Sequence, residues 1–143
     1  KVQNYCENET ANLILSAFAD KAHKRDISME IKAQIPTMPA VSESDLCVLL
    51  SNALENALHA CMQVQAKGLP AAIDVMAYQQ KDTFFIQIRN SCEENVEFVN
   101  EIPVTRRAGH GIGVRSICAV VERYGGLYSF SAANGQFILR VSL

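Results

Sequence analysis

Nowhere in these 143 residues is there a run of about 18 apolar residues, so no helix of this chain is expected to span a membrane. Cysteine is present without organisation: Cys6, Cys47, Cys61, Cys92 and Cys118 are odd in number, scattered, and contain no C-x-x-C pair. That argues against a disulfide framework and a zinc site, and points to reduced thiols of a cytosolic domain. A strong charge of one sign is also missing. A formal net charge of −2 gives no general attraction to nucleic acid or to an anionic membrane, so neither is expected as a direct partner. No internal repeat or low-complexity tract is found. What is there is ordinary: 49% hydrophobic and 20% charged residues, in a length that builds one core. The chain begins at Lys1 and enters a helical pattern almost at once, as expected of a fragment of a longer protein in which residues 1–143 form a single domain.

Periodicity lays out the elements. Residues 5 to about 25 carry a stripe of Leu13, Ile14, Ala17, Phe18 and Ala22 and predict a helix. From Ser28 to Gln34 the pattern alternates, with Met29, Ile31 and Ala33 on one face, and predicts a strand. Pro36 and Pro39 mark a loop, after which Ser42-Glu43-Ser44-Asp45 resembles a capping box. The helix it opens runs to about Ala66, with Leu46, Leu49, Leu50, Ala53, Leu54, Ala57, Leu58 and Cys61 on one face. Asn52, Asn56, His59 and Gln63 occupy the opposite arc. Strands are predicted over Ala72–Tyr78 and Thr83–Asn90, joined by a turn at Gln79–Asp82. The period of two puts Asn90 on the same face as Phe84, Ile86 and Ile88. An irregular stretch over 91–108 is long enough to be functional or mobile. A glycine run, a third helix and the break at Gly125-Gly126 follow, and strands over Leu127–Ala133 and Gln136–Leu143 flank the hairpin signal Asn134-Gly135. The predicted fold is an α/β (α+β) two-layer sandwich. Three helices lie on one face of a mixed, mostly antiparallel five-stranded sheet whose other face is wet.

Gly109-His110-Gly111-Ile112-Gly113 is the most informative stretch. Glycine permits close backbone approach, and the helix start that follows offers unpaired N–H groups and partial positive charge, so the two together cradle phosphate. The spacing is not the Gly-x-Gly-x-x-Gly of a Rossmann turn, and irregular chain rather than a buried strand precedes it. On the asparagine helix, amide oxygens four residues apart can place one on Mg²⁺ and another beside phosphates. The same arc would also serve as a solvated face, for which Asn, a poor helix former, is an unusual choice. Asn90 either satisfies a backbone group or hydrogen-bonds the edge of an adenine entering between sheet and helices. Arg106 and Arg107 either reach terminal phosphates or form an exposed basic pair on a loop.

In this order, the asparagine helix, the strand ending in Asn90, the long loop and the glycine-rich helix resemble the N, G1 and G2 boxes of the GHKL superfamily. That superfamily comprises gyrase, heat-shock chaperone, mismatch-repair and histidine-kinase ATP-binding domains of Bergerat-type fold. Leu-Leu-Ser-Asn-Ala-Leu-Glu-Asn-Ala-Leu-His-Ala with Gly-His-Gly-Ile-Gly-Val-Arg-Ser-Ile is most similar to the catalytic domain of sensor histidine kinases, particularly the quorum-sensing peptide-receptor branch. The resemblance implies ATP and Mg²⁺ as cofactors, with Asn56 as the metal ligand and Asn52 as its phosphate-side neighbour. It further implies that 91–108 form an ATP lid and that Gly109, Gly111 and Gly113 approach the phosphates. His59, Thr105, Arg106, Arg107, His110 and Ile112 complete the implied nucleotide set. One departure stands out: the usual Asp-x-Gly-x-Gly adenine box is here Asn90-Ser91-Cys92-Glu93-Glu94, without glycine. The peptide-receptor branch resembles this chain in using Asn, so Asn90 is expected to inherit adenine recognition without a charge, and with weaker binding.

The resemblance also bears on the reaction. Hydrolysing members carry a glutamate four residues before the metal-binding asparagine, where it acts as general base. Here that position is Asn52, whose amide takes no proton at neutral pH, and Glu55 lies about 100° round the helix from Asn56. Phosphoryl transfer to an imidazole is favoured, with catalysis by positioning and charge neutralisation and with Asn52, Arg106 and Arg107 as candidate catalytic groups. Of His23, His59 and His110, none suits a phosphoacceptor. The acceptor is therefore expected on a helical dimerisation domain upstream of Lys1, within a homodimeric, membrane-anchored sensor that holds this domain in the cytoplasm and acts on a response regulator. The rival readings are a non-catalytic nucleotide-sensing module and a GHKL ATPase.

Overall fold

The computed structural model describes residues 2–38, 40–104 and 111–143. Helix α1 spans Glu9–Lys24 and starts at Asn8, whose side chain accepts from the Ala11 N–H at 3.0 Å. It begins four residues later than predicted, because Asn12 holds the preceding segment extended. The Asn12 Oδ1 accepts from the Tyr5 and Cys6 N–H groups at 2.6 and 3.3 Å, and its Nδ2 donates to the Gln3 carbonyl at 2.8 Å. The buried stripe also differs from the predicted one. Ala11, Leu15, Phe18 and Ala22 repeat at the helical period and face the core, whereas Leu13 is 58% exposed.

Strand β1 is Ser28–Ala33, and α2 is Glu43–Ala66, capped by the Ser42 hydroxyl accepting from the Asp45 N–H at 3.0 Å. Strands β2 (Ala72–Gln80) and β3 (Thr83–Ser91) each run further than predicted, which shrinks the turn to Lys81-Asp82, with Lys81 in the left-handed region. The stretch expected to be irregular contains a small hairpin, β4 (Phe98–Val99) and β5 (Ile102–Pro103), turned by Asn100 and Glu101 at φ 51° and 67°. Helix α3 is Gly111–Arg123, followed by β6 (Leu127–Ala133) and β7 (Gln136–Ser142) about the expected Asn134-Gly135 turn.

The main sheet has the order β1-β2-β3-β7-β6, with β1 parallel to β2 and every other pair antiparallel. The layered α/β sandwich read from the sequence is the fold observed. Helix α2 lies between α1 and α3 and rests on β3. Its face of Leu49, Leu50, Ala53, Leu54, Ala57, Leu58 and Cys61 is buried against Ile73, Val75, Ile86, Ile88, Leu139 and Val141. Truncating one of those leucines to alanine costs about 2–5 kcal/mol, so α2 cannot leave the sheet while the domain is folded. The opposite sheet face is partly wet and carries the Arg89–Asp74 pair at 3.1 Å and the Arg140 to Gln87 bond at 3.0 Å.

A polar latch aligns α3 with α2. The Asp45 carboxylate accepts from both the Arg123 guanidinium and the Tyr124 hydroxyl. The Tyr124 oxygen accepts from the Ser42 N–H at 3.1 Å. The end of α3 is thereby tied to the start of α2, and the start of α3 lies further along α2, beside Asn52.

Candidate functional site

The polar arc of α2 does not face open water. Asn52, Asn56, His59 and Gln63 are all half-buried, and the last three line a cleft of about 350 Å³. The segment after β3, residues 92–97, forms the facing wall, with Pro103, Val104, Val114 of α3 and Phe137 of β7 completing it. The strict helical spacing of α2 explains how this arises. With its leucine face fixed on the sheet, the amide face must turn toward whatever covers the layer, here the loop and α3.

Within the cleft Asn56 makes no hydrogen bond among the described residues, so its amide is available to a ligand. Asn52 is occupied differently. Its Nδ2 donates to the Val48 carbonyl at 2.8 Å. Its Oδ1 abuts α3, where a Cβ built on Gly113 would lie 3.2 Å from it. Glycine at 113 thus lets the start of α3 approach the asparagine helix, and the structure brings Asn52, Asn56 and Gly113 to one place. His59 donates through Nε2 to the Glu55 carboxylate at 2.9 Å, which leaves Glu55 engaged at the helix surface.

Asn90 lies on the core-facing side of β3, as the alternation required, between its cross-strand partners Ile73 and Phe137. It is 1% exposed and does not line the cleft. Its Nδ2 donates to the Ser91 carbonyl at 2.9 Å. That bond fixes the amide with Oδ1 as the remaining acceptor. Gly111 and Ile112 open α3, Ile112 being 58% exposed. Thr105, Arg106, Arg107, Gly109 and His110 lie outside the described residues.

Several cleft residues escaped the sequence reading. The sequence assigns no role to Phe137 or Val114 and marks Cys92 only as a reduced thiol, yet all three line the cleft. The hairpin signal alone could not find Phe137, since what sets it opposite Asn90 is the long-range β3–β7 register. Burial, with Glu93 next to it, pushes the Cys92 thiol up, and burial pushes Cys61 up to about 11. Both environments disfavour the thiolate, the form that acts as a nucleophile. Glu93 pairs with Lys67 at 2.7 Å, linking the loop after β3 to the end of α2.

No cluster of three or more His, Cys, Asp or Glu side chains among the described residues could hold a metal ion. Mg²⁺ requires no such cluster, since it takes one or two protein oxygens and completes its octahedron with phosphate and water. Asn56 presents an amide oxygen from the α2 wall of the cleft, and Glu93, Glu94 and Glu97 line the facing wall.

Residues 41–143 match the GHKL domain family. No curated protein matches the chain by sequence. Among solved structures, the catalytic domain of histidine kinase ThkA superposes with a TM-score of 0.72 at 16% identity, covering 95% of this chain and 90% of that one. The mycobacterial sensor histidine kinase MprB gives 0.68 at 16% identity over 93% of each chain. The histidine kinase domain of the blue-light-activated kinase from Erythrobacter litoralis gives 0.69 at 14%, over 94% of this chain and 59% of that one. At such identities the likeness is one of fold.

Proposed function

The chain belongs to the GHKL domain family, and from that premise we propose that it binds ATP with Mg²⁺ in the cleft beside α2. On this reading it donates the γ-phosphate to a histidine carried elsewhere in the parent protein. The observation that carries the reading is the unpartnered Asn56 amide on the cleft wall, next to the Asn52–Gly113 contact where α2 meets the start of α3. Bound Mg²⁺ would screen the phosphate oxygens and orient the terminal phosphoryl group.

The chain's own residues supply the rest. Asn56 would hold the metal through its amide oxygen. The first turn of α3, from Gly111 to Gly113, offers N–H groups with no helical partner, matched to anionic oxygens. Asn52 sets the distance between that turn and α2 through its contact at Gly113. Glu94 on the cleft wall adds negative charge there, so the Mg²⁺ complex, less negative than the free nucleotide, is the form this cleft favours. Arg106 and Arg107 are assigned to the terminal phosphates, with Thr105 and His110 beside them. Base reading is assigned to Asn90, whose Oδ1 suits the exocyclic amino group of adenine. Because Asn90 is 1% exposed, the segment after β3 must yield for the base to reach it.

Four residues before Asn56, where hydrolysing relatives carry their general base, α2 offers the Asn52 amide. Asn52 takes no proton at neutral pH, and Glu55 is bonded to His59. An imidazole acceptor needs no such base. The acceptor belongs on an upstream dimerisation domain of a homodimeric, membrane-anchored two-component sensor with this domain in the cytoplasm, of the peptide-receptor branch, and the phosphoryl group passes on to a response regulator. The missing glycines at Cys92 and Glu94 favour a second reading, a nucleotide-sensing module without transfer. Label from γ-phosphate-labelled ATP, supplied to this domain together with its separate dimerisation domain, distinguishes these. The kinase reading expects an acid-labile, base-stable phosphoprotein. Absence of transfer in the full-length parent leaves the sensing module, and brisk hydrolysis by the isolated domain makes it an ATPase.

A further inference from the structure

The two edges of the main sheet are protected unequally. The β1 edge carries Glu30 and Lys32, paired at 3.5 Å. The β6 edge, Leu127 to Ala133, has no charged residue and no proline, two devices that often blunt an exposed edge, and β5 of the small hairpin approaches it without pairing to it. A groove of about 690 Å³ runs along β6, lined by every residue from Gly126 to Ala132 and, across from them, by Phe98, Asn100 and Glu101 of the β4–β5 hairpin. Residues of both strand faces line it in unbroken succession, so what borders the groove is the backbone edge of β6.

The ladder fixes which backbone groups point there. Phe84 and Leu143 exchange both backbone bonds, at 3.0 and 2.9 Å. By alternation Val141, Leu139 and Phe137 of β7 bond to β3, and the residues between them bond to β6. Ser129 and Ser131 therefore face β7, while Tyr128, Phe130 and Ala132 direct their N–H and C=O groups outward. No strand pairs with that edge among the described residues. Such a row of alternating donors and acceptors is matched by one kind of ligand, a polypeptide in extended conformation.

We propose that this groove docks an extended, cationic segment of a partner protein, which adds to the outer edge of β6 as a further strand. Among the described residues, Glu101 is the one charged side chain lining the groove, so a Lys or Arg flanking the segment is complementary. The partner's side chains on the helix side would lie by Tyr128 and Phe98, and those on the other side by Ser129 and Ser131, which suits alternating valine and threonine.

The test is fluorescence anisotropy with a labelled short peptide of alternating valine and threonine flanked by lysines. Saturable binding that weakens with added salt is expected. Ala132→Pro removes an outward N–H and no bond to β7, so it should weaken binding about tenfold. The same peptide N-methylated at alternate residues should lose binding to the unaltered protein, a result independent of how the proline variant folds. Glu101→Lys should transfer preference to a glutamate-flanked peptide. No saturable binding up to about 1 mM, or equal binding of the methylated peptide, overturns the proposal. Sedimentation showing self-association that Ala132→Pro abolishes, without peptide binding, gives the edge to a second copy of this chain and overturns it equally.

Discussion

Replacing Gly113 with alanine puts a methyl group into the contact between α2 and α3, and its consequences can be worked from the distances. The new Cβ would lie 3.2 Å from the Asn52 Oδ1, 3.8 Å from its Cγ and 3.9 Å from its Cβ. Only the first is short, by a few tenths of an ångström. Asn52 cannot turn aside freely, because its Nδ2 is bonded to the Val48 carbonyl at 2.8 Å. Forcing the amide off its rotamer costs about 0.5–1.5 kcal/mol. Against this, alanine in place of glycine gains up to about 1 kcal/mol of helix propensity, less in a first turn. The two nearly cancel, so urea denaturation should show a stability change within about 1 kcal/mol. Nucleotide affinity has no such compensation, and calorimetry should show it reduced several-fold. In Asn52→Ala the clashing oxygen is gone and the remaining Cβ is at ordinary contact distance, so Gly113→Ala made in that background should gain stability. The cycle should show a coupling of about 0.5–1.5 kcal/mol. Strict additivity, or unchanged nucleotide affinity in the single Gly113→Ala variant, would refute the assignment of Asn52 and Gly113 to one site.

Gly126→Ala should be far more costly, since its Cβ would lie 2.1 Å from the Ser142 carbonyl oxygen and 3.1 Å from Val121 Cγ1. About 3 kcal/mol should be lost, read as a lower urea midpoint. The Tyr124 hydroxyl, with Arg123 beside it, holds the Asp45 carboxyl below the usual carboxylate range. Its contribution is therefore present above the unfolded carboxyl pKa and disappears as pH falls through the folded one. Asp45→Asn should be less stable at neutral pH, and its deficit should vanish in that acid window when unfolding is followed against pH. At the base-reading position, Asn90→Leu should lose about 1–3 kcal/mol of ATP binding through an unpaired polar edge. Asn90→Asp should keep or improve that binding, and normal calorimetric binding by the leucine variant would place adenine recognition elsewhere.

The parts of the fold that were legible in the sequence are those with long, uninterrupted periods. The α2 face repeats over 24 residues, and β3 alternates through to Asn90, so helix, strand and the inward direction of Asn90 followed directly. The start of α1 was not legible, because Asn12 acts through side-chain bonds to residues seven and nine positions back, which no periodicity records. Nor was the β4–β5 hairpin, whose two-residue strands are too short to show a period and whose turn uses Asn100-Glu101 rather than a glycine. At the site, the amides of α2 were identifiable by type and spacing. That they face a cleft depends on the loop after β3 and on α3 folding over them, a long-range arrangement carried by the Asp45–Tyr124 latch and the Asn52–Gly113 contact. Phe137 and Cys92 enter the cleft only through the β3–β7 register.

The claim that this cleft is a Mg²⁺-dependent nucleotide site is tested most directly by calorimetric titration of ADP into the domain, with and without Mg²⁺, for the natural sequence and for Asn56→Ala. The account predicts that Mg²⁺ strengthens binding to the natural sequence. In the variant most of that metal dependence should be gone, while a weaker, metal-independent affinity remains. Equal Mg²⁺-dependent affinity in both proteins would contradict it, removing Asn56 as the ligand and with it the observation on which the functional reading stands.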